Sequence, residues 1–390
     1  MKNLHKMSFG FIKKSMTRTF ISFLSFLIIF SLMLPSGCAK KEKVIKIGVI
    51  LPLTGEAAKY GQSAKRGLDL ALEEINASGG VRGKKLSLIY EDSKADPKEG
   101  VNAIQKLITI HKVPAIIGAM ASSVTLAIAP IAEKNKVVLL SPASSAPKIT
   151  YAGNYIFRNC YSDIYEGTKM ADYIWNETSY RSIAIIYINN DYGIGLKRAF
   201  EKRFTELGGK VIISEPYEFG STDFHTQISK VKNANPDAIY IIGYGEMGRL
   251  LIQAKEIGLS KPFFSCIMFE DPDILKIARE AAEGVIYTFP SYDPKSQEKQ
   301  IRDFVRAFKK KYGQIPDGFA ANSYDALKIL ALAIKKGGGD SEGIKDALYT
   351  VRDFPGVTGK TSFDANGDVK KPIGIKTVKD GRFIWLKFRY

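Results

Sequence analysis

From residue 44 onward, short runs of apolar, often β-branched residues alternate with longer segments whose apolar positions recur at helical spacing. "VIKIGVILPL" opens the series as a strand pattern. "KYGQSAKRGLDLALEEINASGG" follows as a helix, with Ala64, Leu68, Ala71, Leu72 and Ile75 on one face and Gly79-Gly80 as the stop. "KLSLIYED", "VPAIIGAM" and "KVVLLSPA" read as further strands, each separated from the last by a helical pattern. The rhythm then repeats in "RSIAIIYIN", "KVIISEPY", "PDAIYIIGY", "PFFSCIMF" and "EGVIYTFP". Near-continuous apolar strands between helices predict mainly parallel sheets covered on both faces, so the fold class is α/β with two units of similar plan. Two helical patterns follow, "KQIRDFVRAFKKKYG" and "ANSYDALKILALAIKKGG". The end changes character: "GKTSFDANGDVKKPIGIKTVKDGRFIWLKF" sets Asn-Gly and Asp-Gly turn signals between strand patterns, as in an antiparallel hairpin.

One strand of the second series runs into a glycine pattern. In "IYIIGYGEMGRLL", Gly243, Gly245 and Gly248 stand in G-x-G-x-x-G spacing, and Glu270 and Asp271 lie some twenty residues on. That is the arrangement of a dinucleotide fingerprint, and an NAD-dependent oxidoreductase is the reading it opens. Its position argues against it, because it follows the third strand of the second series rather than the first strand of a nucleotide-binding half.

Before residue 44 the pattern is different. Lys2, Lys6, Lys13, Lys14 and Arg18 precede sixteen uncharged residues, Phe20 to Pro35, and then small residues and Cys38. Basic, apolar and small in that order is a secretory signal rather than part of the fold. Residues 1–37 are therefore expected to be a signal peptide and 38–43 a charged tether. The alternative, a membrane-spanning anchor, needs an uncharged run of roughly twenty residues. Export also separates the chain from the cytoplasmic dinucleotide pool.

The formal charge is +17, and the part from residue 38 onward still carries 52 basic against 40 acidic residues. Such a balance suits nucleic acid, anionic surfaces or small anions. No zinc-finger spacing, basic-region heptad or basic-aromatic motif is present, so no nucleic-acid partner is expected. The three histidines, His5, His111 and His225, pair with no Cys or acid at metal-ligand spacing, and neither a metal nor another cofactor is expected. Cys160 and Cys266 could pair or stay as buried thiols. With no G-x-S-x-G elbow and few general-base candidates, the chain is expected not to be an enzyme.

In open α/β sheets, ligands gather at the carboxyl ends of the strands. The loops expected there are Thr54-Gly55 with Tyr60-Gly61, then "GAMASSVT", then "SPASSAP". The last two are small and hydroxyl-rich and lead into helices, where free N–H groups and Ser hydroxyls can meet a carboxylate. Ser122 or Ser145 alone would read as an N-cap. Both at one sheet edge favour a binding site.

Together, "IGVILPLTGEAAKYGQSAKRGLDLALEEINASGGVRGKKL", "DSKADP", "IIGAMASSVT", "LLSPASSAP", "DYGIGL", "GYGEMG", "EAAEGV" and "YDALKILALAI" resemble the bacterial leucine/isoleucine/valine-binding proteins across residues 44–390. These are the periplasmic-binding-protein type I components of branched-chain amino acid ABC transporters. The resemblance implies two Rossmann-like lobes joined by three crossings near residues 160, 290 and 345, with the ligand cleft between them. The N-terminal lobe would comprise 44–160 with 291–345, and the C-terminal lobe 161–290 with 346–390. It implies that Ser122, Ala143, Ser144 and Ser145 hold the ligand's carboxylate and amine. Tyr60 and Phe319 would wall the first lobe, and Tyr192 and Tyr244 would close from the second. The glycine pattern would then serve to deliver Tyr244. Ser36-Gly37-Cys38 resembles a lipoprotein box, which implies a lipid on Cys38, a periplasmic or outer-surface location, and an ABC permease with its ATPase as partners.

Two departures stand out. The disulfide positions of well-known members fall on Ala95 and Ala121, and Ile267 occupies the position of the glutamate that pairs with the ligand's ammonium. Glu270, Asp163 and Glu246 are the candidate replacements, Glu270 foremost. Asp271 followed by Pro272 also reads as a helix N-cap. The expected ligand is a small carboxylate, first an amino acid, with aromatic or short carboxylic acids or amides as the alternative.

Overall fold

The computed structural model describes residues 44–290 and 292–387. Cys38, the expected signal and the tether lie outside the described residues. No helix among the described residues is long and apolar enough to cross a membrane.

The first sheet has five strands: β1 (Val44–Leu51), β2 (Lys85–Asp92), β3 (Ala115–Gly118), β4 (Val138–Ser141) and β5 (Ile156–Arg158). All pair in parallel, in the order β2-β1-β3-β4-β5. β3 and β4 are buried at every residue, as strands covered by helices on both faces must be. The helix Ala58–Ala77 buries Ala64, Leu68 and Ala71 against one face, with Leu72 and Ile75 packed at its margin. It ends where Gly79 and Gly80 take positive φ.

The second sheet contains β6 (Ser182–Ile188), β7 (Lys210–Tyr217), β8 (Ala238–Ile242), β9 (Phe263–Ser265) and β10 (Ile286–Pro290). Two further strands, β11 (Phe354–Gly356) and β12 (Gly359–Thr361), form a separate ribbon before β13 (Ile373–Lys379) and β14 (Arg382–Lys387) complete the second sheet. Its order is β14-β13-β10-β9-β8-β6-β7, parallel except where β13 joins β10 and β14. β13 and β14 are the terminal hairpin the sequence predicts. Asp380 and Gly381, between paired Lys379 and Arg382, both have positive φ, as a two-residue hairpin turn of matching twist requires.

Each sheet has its own apolar core, so the chain forms two lobes. It passes from first to second between β5 and the helix Asp163–Glu177, and returns between Pro290 and Tyr292, the latter packed in the first core. The third crossing, expected near 345, comes later. Val351, Val357, Phe363 and Val369 pack in the first core, and Ile375 is the first residue of this segment in the second. Two buried acid contacts hold the stretch back. Asp325 accepts from the amides of Val357 and Thr358, both at 2.9 Å, and Asp368 accepts two bonds from Arg158. Cys160 and Cys266 are unpaired and buried.

Candidate functional site

The loops after β1, β3 and β4 meet at one edge of the first sheet. Ser141, the last residue of β4, donates through Oγ to the Ala119 carbonyl (2.7 Å) and accepts from the Ser144 amide (2.9 Å). This fastens the "SPASSAP" loop to the loop after β3. Ser122 is buried, and its hydroxyl accepts from the Ala146 amide (3.2 Å). It therefore staples the two loops rather than capping its own helix, whose cap position, Ala121, makes no side-chain bond. Ser144 corrects an expectation. Its hydroxyl is fully buried, 2.7 Å from Thr125 Oγ1 and 3.0 Å from the Ala119 and Met120 carbonyls, so it faces the lobe interior and not a ligand. Ala143 and Ser145 remain partly exposed on the same loop.

Arg158 shapes this loop and was not singled out by sequence reasoning. Its guanidinium has no solvent exposure, grips Asp368 through Nε (2.6 Å) and Nη2 (2.7 Å), and donates through Nη1 to the carbonyls of Ser145 (3.0 Å) and Ala146 (2.9 Å). A lone cation closing the apolar run "YIFR" was the signal available.

From the second lobe, Asn190 caps the helix Asp191–Glu206 by accepting from the Gly193 amide (2.9 Å), which sets Tyr192 in its first turn. Tyr192 stacks on Tyr244, with centroids 5.6 Å apart and planes at 23°. Tyr244 in turn lies 6.3 Å from Tyr60 of the first lobe, and Tyr60 lies 5.1 Å from Phe319. All four expected aromatic residues thus form one continuous wall across both lobes. The glycines around Tyr244 serve this packing. A Cβ on Gly243 would fall 1.6 Å from the Tyr217 hydroxyl, and one on Gly248 would crowd Ile277 at 3.2 Å, so both positions are explained without a pyrophosphate.

The lobes touch at the mouth of this wall. The Lys59 ammonium donates to Asp271 (2.5 Å) and Asp273 (3.3 Å), and the Tyr60 hydroxyl lies 3.4 Å from Asp271. Burial lowers the Lys59 pKa, but the bonds and charges of the two aspartates outweigh it and the net shift is upward. Asp271 also caps the helix Pro272–Ala278 by accepting from the Asp273 amide, with Pro272 at its start. Lys148 and Asp191 bridge the lobes at a second point, at 3.2 Å.

Glu270 already has partners within its own lobe. One carboxylate oxygen accepts from Lys376 and the other from the Tyr287 hydroxyl, each at 2.5 Å, both within the second lobe. Glu166 (Oε2) and Glu246 (Oε2) keep buried oxygens without a partner, and the buried Asp163 carboxylate has the Ser145 hydroxyl as its one close side-chain donor among the described residues. Burial, and then the charge of Glu166, raises the Asp163 pKa well above its ordinary value, against the pull of the Ser145 hydroxyl and Arg158. Burial likewise raises Glu166 to about 7, although Thr288 and the Ile267 amide bond to it. Glu166 carries no sequence signal beyond lying in the first turn of its helix.

Comparison with known proteins places this geometry in a family. The family model described as "Periplasmic binding protein" matches residues 44–382. A Leu/Ile/Val-binding protein homolog of Brucella abortus is 32% identical over 350 residues, covering 88% of this chain and 93% of the relative. Among solved structures, the leucine binding protein LivK of Thermotoga maritima superposes with a TM-score of 0.81 at 35% identity, covering 88% of this chain and 98% of that one. The branched-chain amino acid transporter substrate binding protein LivJ of Streptococcus pneumoniae, solved with isoleucine, gives 0.80 at 31% identity, with coverages of 87% and 98%.

Proposed function

The chain belongs to the periplasmic-binding-protein family, and from that premise we propose that it is the extracytoplasmic solute-binding component of a branched-chain amino acid ABC importer. The reading extends to a small carboxylate-bearing ligand, an amino acid first, captured between the lobes. The observation that carries it is the aromatic wall Phe319–Tyr60–Tyr244–Tyr192, which joins residues of both lobes beside the hydroxyl- and amide-rich loop of the first. Relatives whose names specify leucine, isoleucine and valine support the ligand class.

In this reading the ligand carboxylate lies against the Ser122 and Ser145 hydroxyls and the backbone at Ala143. Ser122 accepts a bond from Ala146, which leaves its own proton to donate. The aromatic wall covers an apolar body of modest size. Contacts from both lobes stabilise the closed form, which is the form a permease would recognise. A lipid on Cys38 would hold the protein at the membrane beside that permease and its ATPase. The role is capture and delivery, without chemistry on the ligand.

Mass spectrometry of the solute released when the purified protein is unfolded tests this reading. A small carboxylate, amino acid or otherwise, is expected. Stoichiometric nicotinamide dinucleotide would contradict it.

A further inference from the structure

The first lobe has an end that solute capture leaves unused. In its all-parallel sheet every strand starts at one edge, and the helices between strands return the chain to that same edge. The cleft loops lie at the opposite edge, where the strands finish. Arg82 and Lys84 stand in the turn before β2, Lys112 in the turn before β3, and Lys134 at the end of the helix before β4. Lys335 and Lys336 lie in the last turn of the helix Gly318–Gly337. Ser63 meets Asp317 near the starts of two helices and Glu74 meets Lys328 further on, so Gly318–Gly337 runs beside Ala58–Ala77 in the same direction and finishes at this end too. All six cations are exposed. Ion pairs within the first lobe use other cations, Lys328 and Lys345 among them, which leaves these six without an acid partner among the described residues. The acids of this end are engaged elsewhere: Asp340 caps its helix, Glu133 accepts from the Tyr155 amide (2.9 Å), and Glu342 bonds Lys345 and the Tyr155 hydroxyl.

Helix geometry explains only part of this charge. Cations in a last turn complement the helix macrodipole, which accounts for Lys134, Lys335 and Lys336. It does not account for the turns. Arg82 and Lys112 hold positive φ of 52° and 51°, and Lys136 does so at 53°, a left-handed conformation in which glycine or asparagine costs less. In the second lobe the corresponding turns are mixed in sign, with Arg181 and Lys261 against Asp237 and Glu283. Apolar exposure coincides with the cations. Ile110, two residues before Lys112 and just past the helix Pro97–Thr109, is 68% exposed, and Val44 at the start of β1 is 44% exposed.

We propose that this end of the first lobe is a docking surface for anionic phospholipid headgroups, so that the lobe stands on a membrane with its cleft turned away. Headgroup phosphates match the unpaired cations, and an exposed isoleucine among them suits the boundary between headgroups and acyl chains. The cations are spread along the whole edge and not gathered in one shaped pocket, which fits a fluid layer of headgroups better than the fixed surface of an acidic protein. The described chain also begins here: Val44 opens β1 at this edge, and five residues separate it from Cys38. A chain that short reaches at most roughly 20 Å, so a lipid on Cys38 would bring this end to the bilayer. The eight residues of β1 rise about 3.3 Å each and hold the cleft loops roughly 26 Å beyond the edge, open to solute. The lipid belongs to the reading above, whereas the surface stands on its own charge.

The test reads the fluorescence of Ile110→Trp in the full chain reconstituted into bilayer discs, with lipids brominated on their acyl chains as quenchers. The native Trp175 and Trp385 pack in the second lobe and serve as the internal reference. With phosphatidylglycerol in the disc the added tryptophan should be quenched at least about twofold more than in phosphatidylcholine alone. Salt at about 1 M, which shortens the screening length to about 3 Å, should remove the difference. Arg82→Glu, Lys335→Glu and Lys336→Glu combined should remove it as well, while solute affinity stays within about twofold, because these exposed side chains lie far from the cleft. Equal quenching in both lipids, or quenching that the triple variant leaves unchanged, would overturn the surface. Protection of these turns from hydrogen exchange by poly-glutamate and not by phosphatidylglycerol would assign them to an acidic protein and overturn it too. Should the chain carry no lipid, flotation of the full chain with vesicles decides. Salt-sensitive flotation with phosphatidylglycerol upholds the surface while the anchor falls, and no flotation overturns the surface. Solute capture is read separately by calorimetry and stands or falls apart from either result.

Discussion

Lys59 of the first lobe donates to Asp271 of the second at 2.5 Å, directly beside the point where Tyr60 faces Tyr244. A charge pair at the mouth of the cleft acts as a latch, favouring the closed arrangement without touching a ligand held by the wall. Lys59 is 42% exposed, so the latch is worth about 1 kcal/mol or less and is weakened by salt. Lys59→Ala should speed ligand release by up to about fivefold at low salt and by less at high salt. Stopped-flow tyrosine fluorescence at two salt concentrations measures this, and an unchanged release rate would remove the latch.

The serines of the first lobe should separate by role. Ser122→Ala with Ser145→Ala should weaken binding by more than about tenfold, since two donors to a carboxylate are lost. Ser144→Ala should instead lower stability by about 1–3 kcal/mol, because it orphans buried carbonyls and the Thr125 hydroxyl, with little effect on affinity in the folded fraction. Calorimetric titration and thermal melting of the same samples distinguish the two outcomes.

Arg158 ties three distant segments to the site: β5, the Ser145–Ala146 loop and the late segment at Asp368. Arg158→Met leaves Asp368 buried without its cation and should destabilise the protein by about 3–5 kcal/mol. Because the Ser145 and Ala146 carbonyls lose their donor, affinity should fall as well. Urea unfolding followed by titration of the folded variant checks both effects, and restoration by Arg158→Lys should be poor because lysine cannot form the two-pronged contact.

Most of the α/β plan was legible because its signals are local. The helix face Ala64–Leu68–Ala71 and the Asp380-Gly381 turn are each written within a few residues. The four aromatic wall residues were legible through resemblance, and the structure brings them together. What could not be read depends on partners far apart in sequence. Glu270 is engaged by Lys376, 106 residues away, and the third crossing is delayed because Arg158 binds Asp368, 210 residues away. Ser144 and Ser145 are neighbours of the same residue type, and only the three-dimensional loop decides that the first turns inward.

The buried acids Asp163 and Glu166 give the ligand-free protein a pH signature. Both bind protons more readily folded than unfolded, so their burial favours the fold at low pH. For Glu166 the contribution is complete below its ordinary 4.5 and is lost as pH rises through about 7. Melting temperature without ligand should therefore decline across this window, and Glu166→Gln should flatten the decline. A wild-type melting temperature that rises from pH 5 to 7, with the Glu166→Gln variant running parallel, would contradict the assignment.

Titration calorimetry of the stripped full chain with leucine, isoleucine and valine reads out solute capture itself. Saturable binding of one ligand per chain is expected, with a negative heat-capacity change from the apolar body buried against the aromatic wall. No binding of any amino acid or small carboxylate by a folded protein, together with retention of a nicotinamide dinucleotide, would contradict it.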